Sequence, residues 1–389
     1  MPVNTTRIAR AGLLILVALG PACASWRTLH EFPGWSLHAR PGVEIDGGAY
    51  QRVFEPAFPA VEGLLGPFQR PVRVFAWHED SDIEPRGPDR IATSNPGSVE
   101  EVPGIGPARV RAFHARGDGL FGLQAGVYAG EIETGTAVHE LVHARLAEER
   151  RNLPLWLEEG VAGLLGDGFL DGDRWVIDGL ACWPMRKLSE QELGAGELER
   201  LLRLRGGDAT DVRENVLVHF VGWAIAFDLL RESGRLEPRA WIERYERGID
   251  PVEARQRISR SVAEETALEW LARLRDPRRE VRLAAAKGVW KLRSREATRL
   301  LLEALEAETD AEVRVGLAIN LLASVGEAPP PDGSMGRLWR SVWSALRAAR
   351  LGDETEEAAL RELGRGSRFR RGRGDSQQAL LVLRRFWDE

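Results

Sequence analysis

Cysteine is almost missing from this chain. Its 389 residues hold two, Cys23 and Cys182, too few for a disulfide framework. Cys182, in Leu180-Ala181-Cys182-Trp183, reads as a small buried apolar residue. A basic excess is missing too: 53 Lys and Arg stand against 59 Asp and Glu, a formal net charge of -6. That balance argues against a general nucleic-acid binder, and no nucleic-acid partner is expected. Long apolar runs are also lacking. The N-terminal stretch Ala11 to Leu19 falls short of the roughly 20 residues a spanning helix needs. What remains is ordinary globular material, 43% apolar and 29% charged, which excludes a disordered chain and is long enough for two or three domains.

The apolar N-terminal stretch has its own setting. Arg7 and Arg10 precede its core, and Pro21-Ala22-Cys23-Ala24-Ser25 follows, the layout of an export signal. Two processing routes stay open. Cleavage after Ala24 makes residues 1–24 a signal peptide. Alternatively, Cys23 resembles the lipid-modified cysteine of bacterial lipoproteins, with the signal running to residue 22 and the lipid giving membrane attachment. Both routes predict a chain exported from the cytoplasm, periplasmic, secreted or lipid-anchored to the cell envelope.

Beyond the leader, residues 26 to about 135 read as mixed α/β. Trp35–Ala39 suggests a short strand, Tyr50–Leu65 a helix ending at Gly66-Pro67, and Pro71–Trp77, rich in β-branched and aromatic residues, a buried strand. A Pro/Gly/Asp-rich loop is expected from about Asp80 to Pro107, then one or two glycine-broken strands over Gly119–Ile132. From 135 onward the pattern is helical. Thr134 or Thr136 is placed to cap a helix reaching about Glu149, Leu153-Pro154 opens a second, and Asp211–Ser233 has a long amphipathic pattern. Near Val262 the regime changes. Glu280-Val281-Arg282-Leu283-Ala284 returns 32 positions later as Glu312-Val313-Arg314-Val315-Gly316, and Ala286 and Val289 map to Ala318 and Leu321. Two helices per unit joined by an Asp-containing turn is the pattern of stacked helical pairs, and it resembles HEAT-like repeats. Pro329-Pro330-Pro331-Asp332-Gly333 breaks the array before a further helical segment.

The chemistry is concentrated in His139-Glu140-Leu141-Val142-His143. Positions i and i+4 lie one above the other on a helix face, so both imidazoles can reach one metal ion. Glu140 sits one step round, where its carboxylate can take a proton from a metal-activated water and pass it to a leaving group. With seven histidines in 389 residues, chance would supply this motif only about 0.01 times per chain. Imidazole and carboxylate ligands in an open tetrahedral site favour Zn2+, which lowers the pKa of bound water to roughly 7 and polarises a carbonyl. No serine or cysteine nucleophile is then needed. A third ligand is required, and a carboxylate in Leu153-Pro154-Leu155-Trp156-Leu157-Glu158-Glu159-Gly160-Val161-Ala162 can face the histidines if the two helices pack antiparallel. Glu159 and Glu158 are both candidates, and Gly160 would permit close helix approach.

HExxH followed by Trp-Leu-x-Glu-Gly-x-Ala resembles the gluzincin zinc metallopeptidases, and most closely the peptidase-MA-like domains of bacterial exported proteins. The resemblance spans residues 30 to 250. It implies His139, His143 and Glu159 as metal ligands, Glu140 as general base, and a Tyr or His stabilising the oxyanion of the tetrahedral intermediate. His219, in Leu217-Val218-His219-Phe220-Val221, is the candidate for that last role; a satisfied core histidine is the alternative. Asp167 is a guess for an acid orienting the histidines.

The expected architecture is α+β: a zincin-like metallopeptidase domain (26–255), with a small mixed sheet and active-site helices, then an all-α part with HEAT-like helical repeats (262–328) and a C-terminal helical segment (333–389). The expected function is zinc-dependent peptide or protein hydrolysis, with a protein partner possible on the repeats. The competing readings are an exported scaffold that binds through its repeats and a zinc amidase acting on a cell-envelope polymer. Three further signals read as background: Val102–Ala108, similar to the hairpin of a helix-hairpin-helix module but read as a turn; Asp167, Asp171 and Asp173, read as a tight turn and not a calcium loop; and the Arg365–Arg373 basic run, read as a solvated segment.

Overall fold

The computed structural model describes residues 26–42, 44–76, 99–102, 106–109, 112–115, 126–129, 133–149, 152–171, 174–176, 188, 191–205, 212–288, 295–310, 313–314, 316–318 and 321. The leader, Cys182, the proline break at 329–331, the basic run and the 333–389 segment lie outside them. The chain is α+β, and by its contacts it divides into two units: residues 1–152 with 206–212, and 153–205 with 213–389.

The first unit holds a five-stranded mixed sheet. Strands β1 (Arg27–Phe32), β2 (Trp35–Ala39), β3 (Val72–Ala76), β6 (Ala112–Ala115) and β7 (Gly126–Ala129) lie in the order β1-β2-β3-β7-β6. The pairs β2/β3 and β3/β7 are parallel; the flanking pairs β1/β2 and β6/β7 are antiparallel. A parallel β2/β3 pair needs a crossover, and helix α1 (Gly47–Leu65) supplies it. Asp46 starts α1 by accepting from the Gly48 and Ala49 N–H groups. Trp35, Leu37 and Ala39 alternate onto the buried face of β2, and the Trp35 ring lies 5.3 Å from Phe54 of α1. Helix α2 (Thr134–Glu148) packs against α1 and also against β6 and β7. Its last turn is fastened to the α1–β3 connection: Arg145 Nε donates to the Gly66 carbonyl (2.9 Å), and the Glu148 carboxylate accepts from the Gln69 and Arg70 N–H groups (2.9 and 3.0 Å).

Several sequence expectations change here. Helix α2 starts at Thr134 with Glu133 at the N-cap and no side-chain cap bond, so neither Thr134 nor Thr136 caps it. The expected loop 80–107 contains strand β4 (Val99–Val102) and the start of β5 (Gly106–Arg109), paired antiparallel with Val102 opposite Gly106. The segment resembling a DNA-binding hairpin is thus flanked by strands and not helices. Strands β1 and β6 were not anticipated; β1 is largely exposed and lacks the apolar alternation that would reveal it.

Among its described residues the second unit is helical apart from a small hairpin, β8 (Phe169–Asp171) with β9 (Arg174–Val176), where Asp171 pairs opposite Arg174. Its helices are α3 (Leu155–Gly166), α4 (Ala195–Arg203), α5 (Val212–Ser233), α6 (Pro238–Tyr245), α7 (Pro251–Ser261), α8 (Glu264–Leu271), α9 (Arg279–Gly288) and α10 (Arg295–Ala307). A 3-10 turn, Ala272–Arg275, follows α8. The 32-residue shift is visible in the packing. Val281, Ala285 and Ala286 are buried, and so are Val313, Leu317 and Ala318. Arg282 donates to the Asp276 carbonyl at 3.0 Å, and Arg314, 32 positions on, donates to the Glu308 carbonyl at 2.9 Å. Arg282 also reaches the Glu308 carboxylate (2.8 Å), tying one unit to the next. Among the described residues no helix is long and apolar enough to cross a membrane.

Candidate metal centre

The histidine pair comes from one uninterrupted helix. Ala137, Val138, Leu141 and Val142 are buried and fix the orientation of α2, so His139 and His143 stand one turn apart on the same face. Their Nε2 atoms are 3.1 Å apart and their ring centroids 4.8 Å apart. Two Zn–N bonds of about 2.0–2.1 Å meeting at a tetrahedral angle span roughly 3.3–3.4 Å, so the two nitrogens are spaced as a pair of ligands to one ion would be. Glu140 and His143 are buried, and His139 is half-buried.

Glu159 completes the group. His139, His143 and Glu159 each offer one ligand atom, and these atoms all lie within 4.8 Å of one another, so the three can hold a metal ion. Two imidazole nitrogens and a carboxylate oxygen are a donor set that suits zinc. Glu159 is 7% exposed and its neighbour Glu158 5%. Buried carboxylates are costly unless compensated, and a divalent cation compensates a buried acid well. Glu158 does not belong to the three-residue group.

Helix α3 carries Glu159, and its placement depends on α5. Pro154 stands at the N-cap of α3, and the Leu155 N–H donates to the Leu204 carbonyl (2.8 Å). Gly160 was expected to let α3 approach the histidine helix. It lies instead against Gly222 of α5: a Cβ on either glycine would overlap the backbone of the other helix. Gly222 is the site-supporting residue that the sequence reading missed. A glycine midway along an apolar helix was the available signal.

This close crossing also explains His219. Its Nδ1 lies 2.7 Å from the Asn215 carbonyl oxygen and its Nε2 2.8 Å from Glu159 Oε2. A carbonyl only accepts, so Nδ1 is the donor in the first contact. The ring thus bonds one turn back on its own helix through Nδ1, while its Nε2 lies against the Glu159 carboxylate. Asp167, the guessed partner for the histidines, sits at the C-cap of α3 and accepts from the Trp223 indole N–H. Burial pushes its carboxyl up to about 7, partly opposed by that hydrogen bond. It supports the α3–α5 contact and has no part in orienting the imidazoles.

No family model, no curated protein and no solved structure matches this chain.

Proposed function

We propose that this chain is a zinc-dependent metallohydrolase, and a peptidase of gluzincin type built on a zincin-like domain. The observation that carries the reading is the gathering of His139, His143 and Glu159 within 4.8 Å, with Glu140 next to His139 on the same helix and buried. His139, His143 and Glu159 would hold the ion, which when bound would supply Lewis acidity toward a water and a substrate carbonyl. Glu140, beside them, would serve as general base toward the attacking water and then as general acid toward the leaving amine. The apolar flanks of α2 and α3 keep the Glu140 and Glu159 carboxylates in surroundings of low polarity, where their interactions with charge are strengthened.

The substrate class is a peptide or protein. The export layout of residues 1–24 assigns the activity to the cell envelope or exterior, and the 32-residue repeat of the second unit is read as a HEAT-like array able to take a protein partner. The test is metal analysis of the purified chain followed by cleavage of a peptide library by wild type and Glu140→Gln. The expected result is zinc near one equivalent in both, with turnover in the wild type alone. Full hydrolysis by the Gln variant would remove Glu140 from the mechanism, and a chain without zinc would remove the reading altogether.

A further inference from the structure

We infer that the cleft between the C-terminal end of α5 and helix α8 is a binding site for an organic anion, an apolar body ending in a carboxylate. The cleft is lined from the second unit alone, and it is independent of the metallohydrolase reading above.

The cleft has a volume of about 420 Å³, within the roughly 300–1,000 Å³ of small-ligand sites. Its apolar wall comes from Phe227, Leu230, Leu236 and Trp270. Phe227 and Trp270 are buried and meet edge to face, with ring centroids 5.8 Å apart. Gly234, with φ at 64°, turns the chain out of α5 and brings Leu236 to the same wall. The Trp270 indole N–H is buried and meets no hydrogen-bond acceptor. Buried donors are nearly always paired, so an unpaired one in a cavity wall points to a polar group that the fold does not itself supply.

The rim is cationic on balance: among the lining residues Arg231 and Arg273 stand against a single carboxylate, Glu269. Both guanidinium groups are already held. Arg231 donates to Thr266 Oγ1 at 3.0 Å and to Glu269 at 2.7 Å. Thr266 is itself fixed, because its hydroxyl donates to the Arg260 carbonyl at 2.7 Å. Arg273 lies over the Trp270 ring, 4.2 Å from its centroid. Those two bonds leave Arg231 further N–H groups for a second acceptor, since a guanidinium carries five. Cations held in place lose little freedom when an anion arrives, and a guanidinium matches the two oxygens of a carboxylate. One surplus positive charge above an aromatic and aliphatic wall selects a monoanion with an apolar body. An inorganic anion would leave the wall uncovered, and a neutral apolar molecule would leave the rim unmatched.

The test is isothermal titration of the full chain with N-acetyl-Leu-Phe, with the same dipeptide as its C-terminal amide, and with octanoate. The two free acids stand for the two sources of such a group, a peptide's C-terminus and a small carboxylic acid. The dipeptide acid is expected to bind about tenfold or more tightly than its amide. Octanoate binding as well as the dipeptide would show that a small acid suffices, and a clear preference for the dipeptide would show a chain end; either supports the site. Arg273→Gln should lose about tenfold in affinity for the acid. Glu269→Gln should gain about 2–5-fold, because it removes the one like charge on the rim. A merely structural role for these two side chains would not give opposite signs. Melting curves report folding separately. Leu236→Trp, which fills the cleft from its wall, replaces Arg273→Gln if that variant does not fold, and should abolish binding. Equal affinity for acid and amide, no binding of either acid at millimolar concentration, or unchanged affinity in both charge variants overturns the assignment.

Discussion

Two clusters of buried charge share helix α5, and they are built on opposite logics. Toward its C-terminal end, Asp228 meets Arg257 (2.8 Å) and Arg260 (2.6 Å), while Arg257 also reaches Glu232, Glu253 and the Tyr245 hydroxyl. Arg257 Nε, Nη1 and Nη2 all have acceptors, and cations and carboxylates face one another directly. Nine residues earlier on the same helix, His219 faces Glu159, which gathers with His139 and His143. There the groups brought together are those that donate electron pairs to a cation. The difference teaches what separates a structural ion network from a metal centre: burial and density of charge are common to both, and the distinction lies in whether the ligands converge on one point.

The sharpest way to break this comparison is to remove chemistry from one cluster and stability from the other. Glu140→Gln should lower kcat by roughly 10²–10⁴-fold while zinc content and melting temperature stay near wild type. Arg257→Ala should do the reverse. It leaves Asp228 buried with part of its compensation gone, which costs about 3–5 kcal/mol, read as an earlier urea midpoint, with zinc affinity unchanged. If Arg257→Ala altered zinc affinity as strongly as His143→Ala, the two clusters would be one system and the contrast would fail.

Gly222→Ala sharpens the comparison, because Gly222 supports one cluster and not the other. Its new methyl would meet the Trp156 carbonyl and the Gly160 amide, both main-chain atoms. Overpacking of this kind costs about 1–3 kcal/mol. The variant should also weaken zinc binding, since α3 must shift and carry Glu159 with it. Arg244→Ala, at the exposed edge of the ion network where Arg244 pairs with Glu253 at 3.4 Å, serves as the control and should leave zinc binding unchanged and stability within about 1 kcal/mol, because exposed ion pairs contribute about 0–1 kcal/mol.

Gly222 also marks where the sequence stopped being legible. The histidine helix, β2, β3, α1 and α5 could be read because their signals are local: apolar period, strand composition, and a four-residue ligand spacing that a helix converts directly into geometry. Strand β1 could not, because an edge strand with an exposed face carries no apolar alternation. Strands β4 and β5 could not, because Gly-Pro-Ala-Arg pairs through its backbone. The start of α2 was misassigned because Thr134 already lies inside the helix, with Glu133 at the boundary. At the candidate site, the grouped residues are written in the motif, while the residues packed against them are not. Gly160 against Gly222 and His219 against Glu159 are contacts across 60 or more positions of chain, and no local pattern specifies them.

The smallest effect concerns Asp167, which lies between the two logics: a single half-buried acid with one neutral donor, Trp223. Its carboxyl is pushed up to about 7 from 3.8, first by burial, with the indole hydrogen bond opposing. The folded chain therefore holds this proton where the unfolded chain has released it. Between the two values the native state binds more protons than the unfolded one, so stability falls as pH rises from about 4 to about 7, and levels off above. Asn cannot ionise and still offers Trp223 an oxygen. The difference in melting temperature between Asp167→Asn and wild type should grow from pH 5 to pH 8 in favour of the variant, by about 2–4 °C. A difference that stays constant over that range would show that the acid is already charged in the folded chain, and that some cation compensates it as in the Asp228 network.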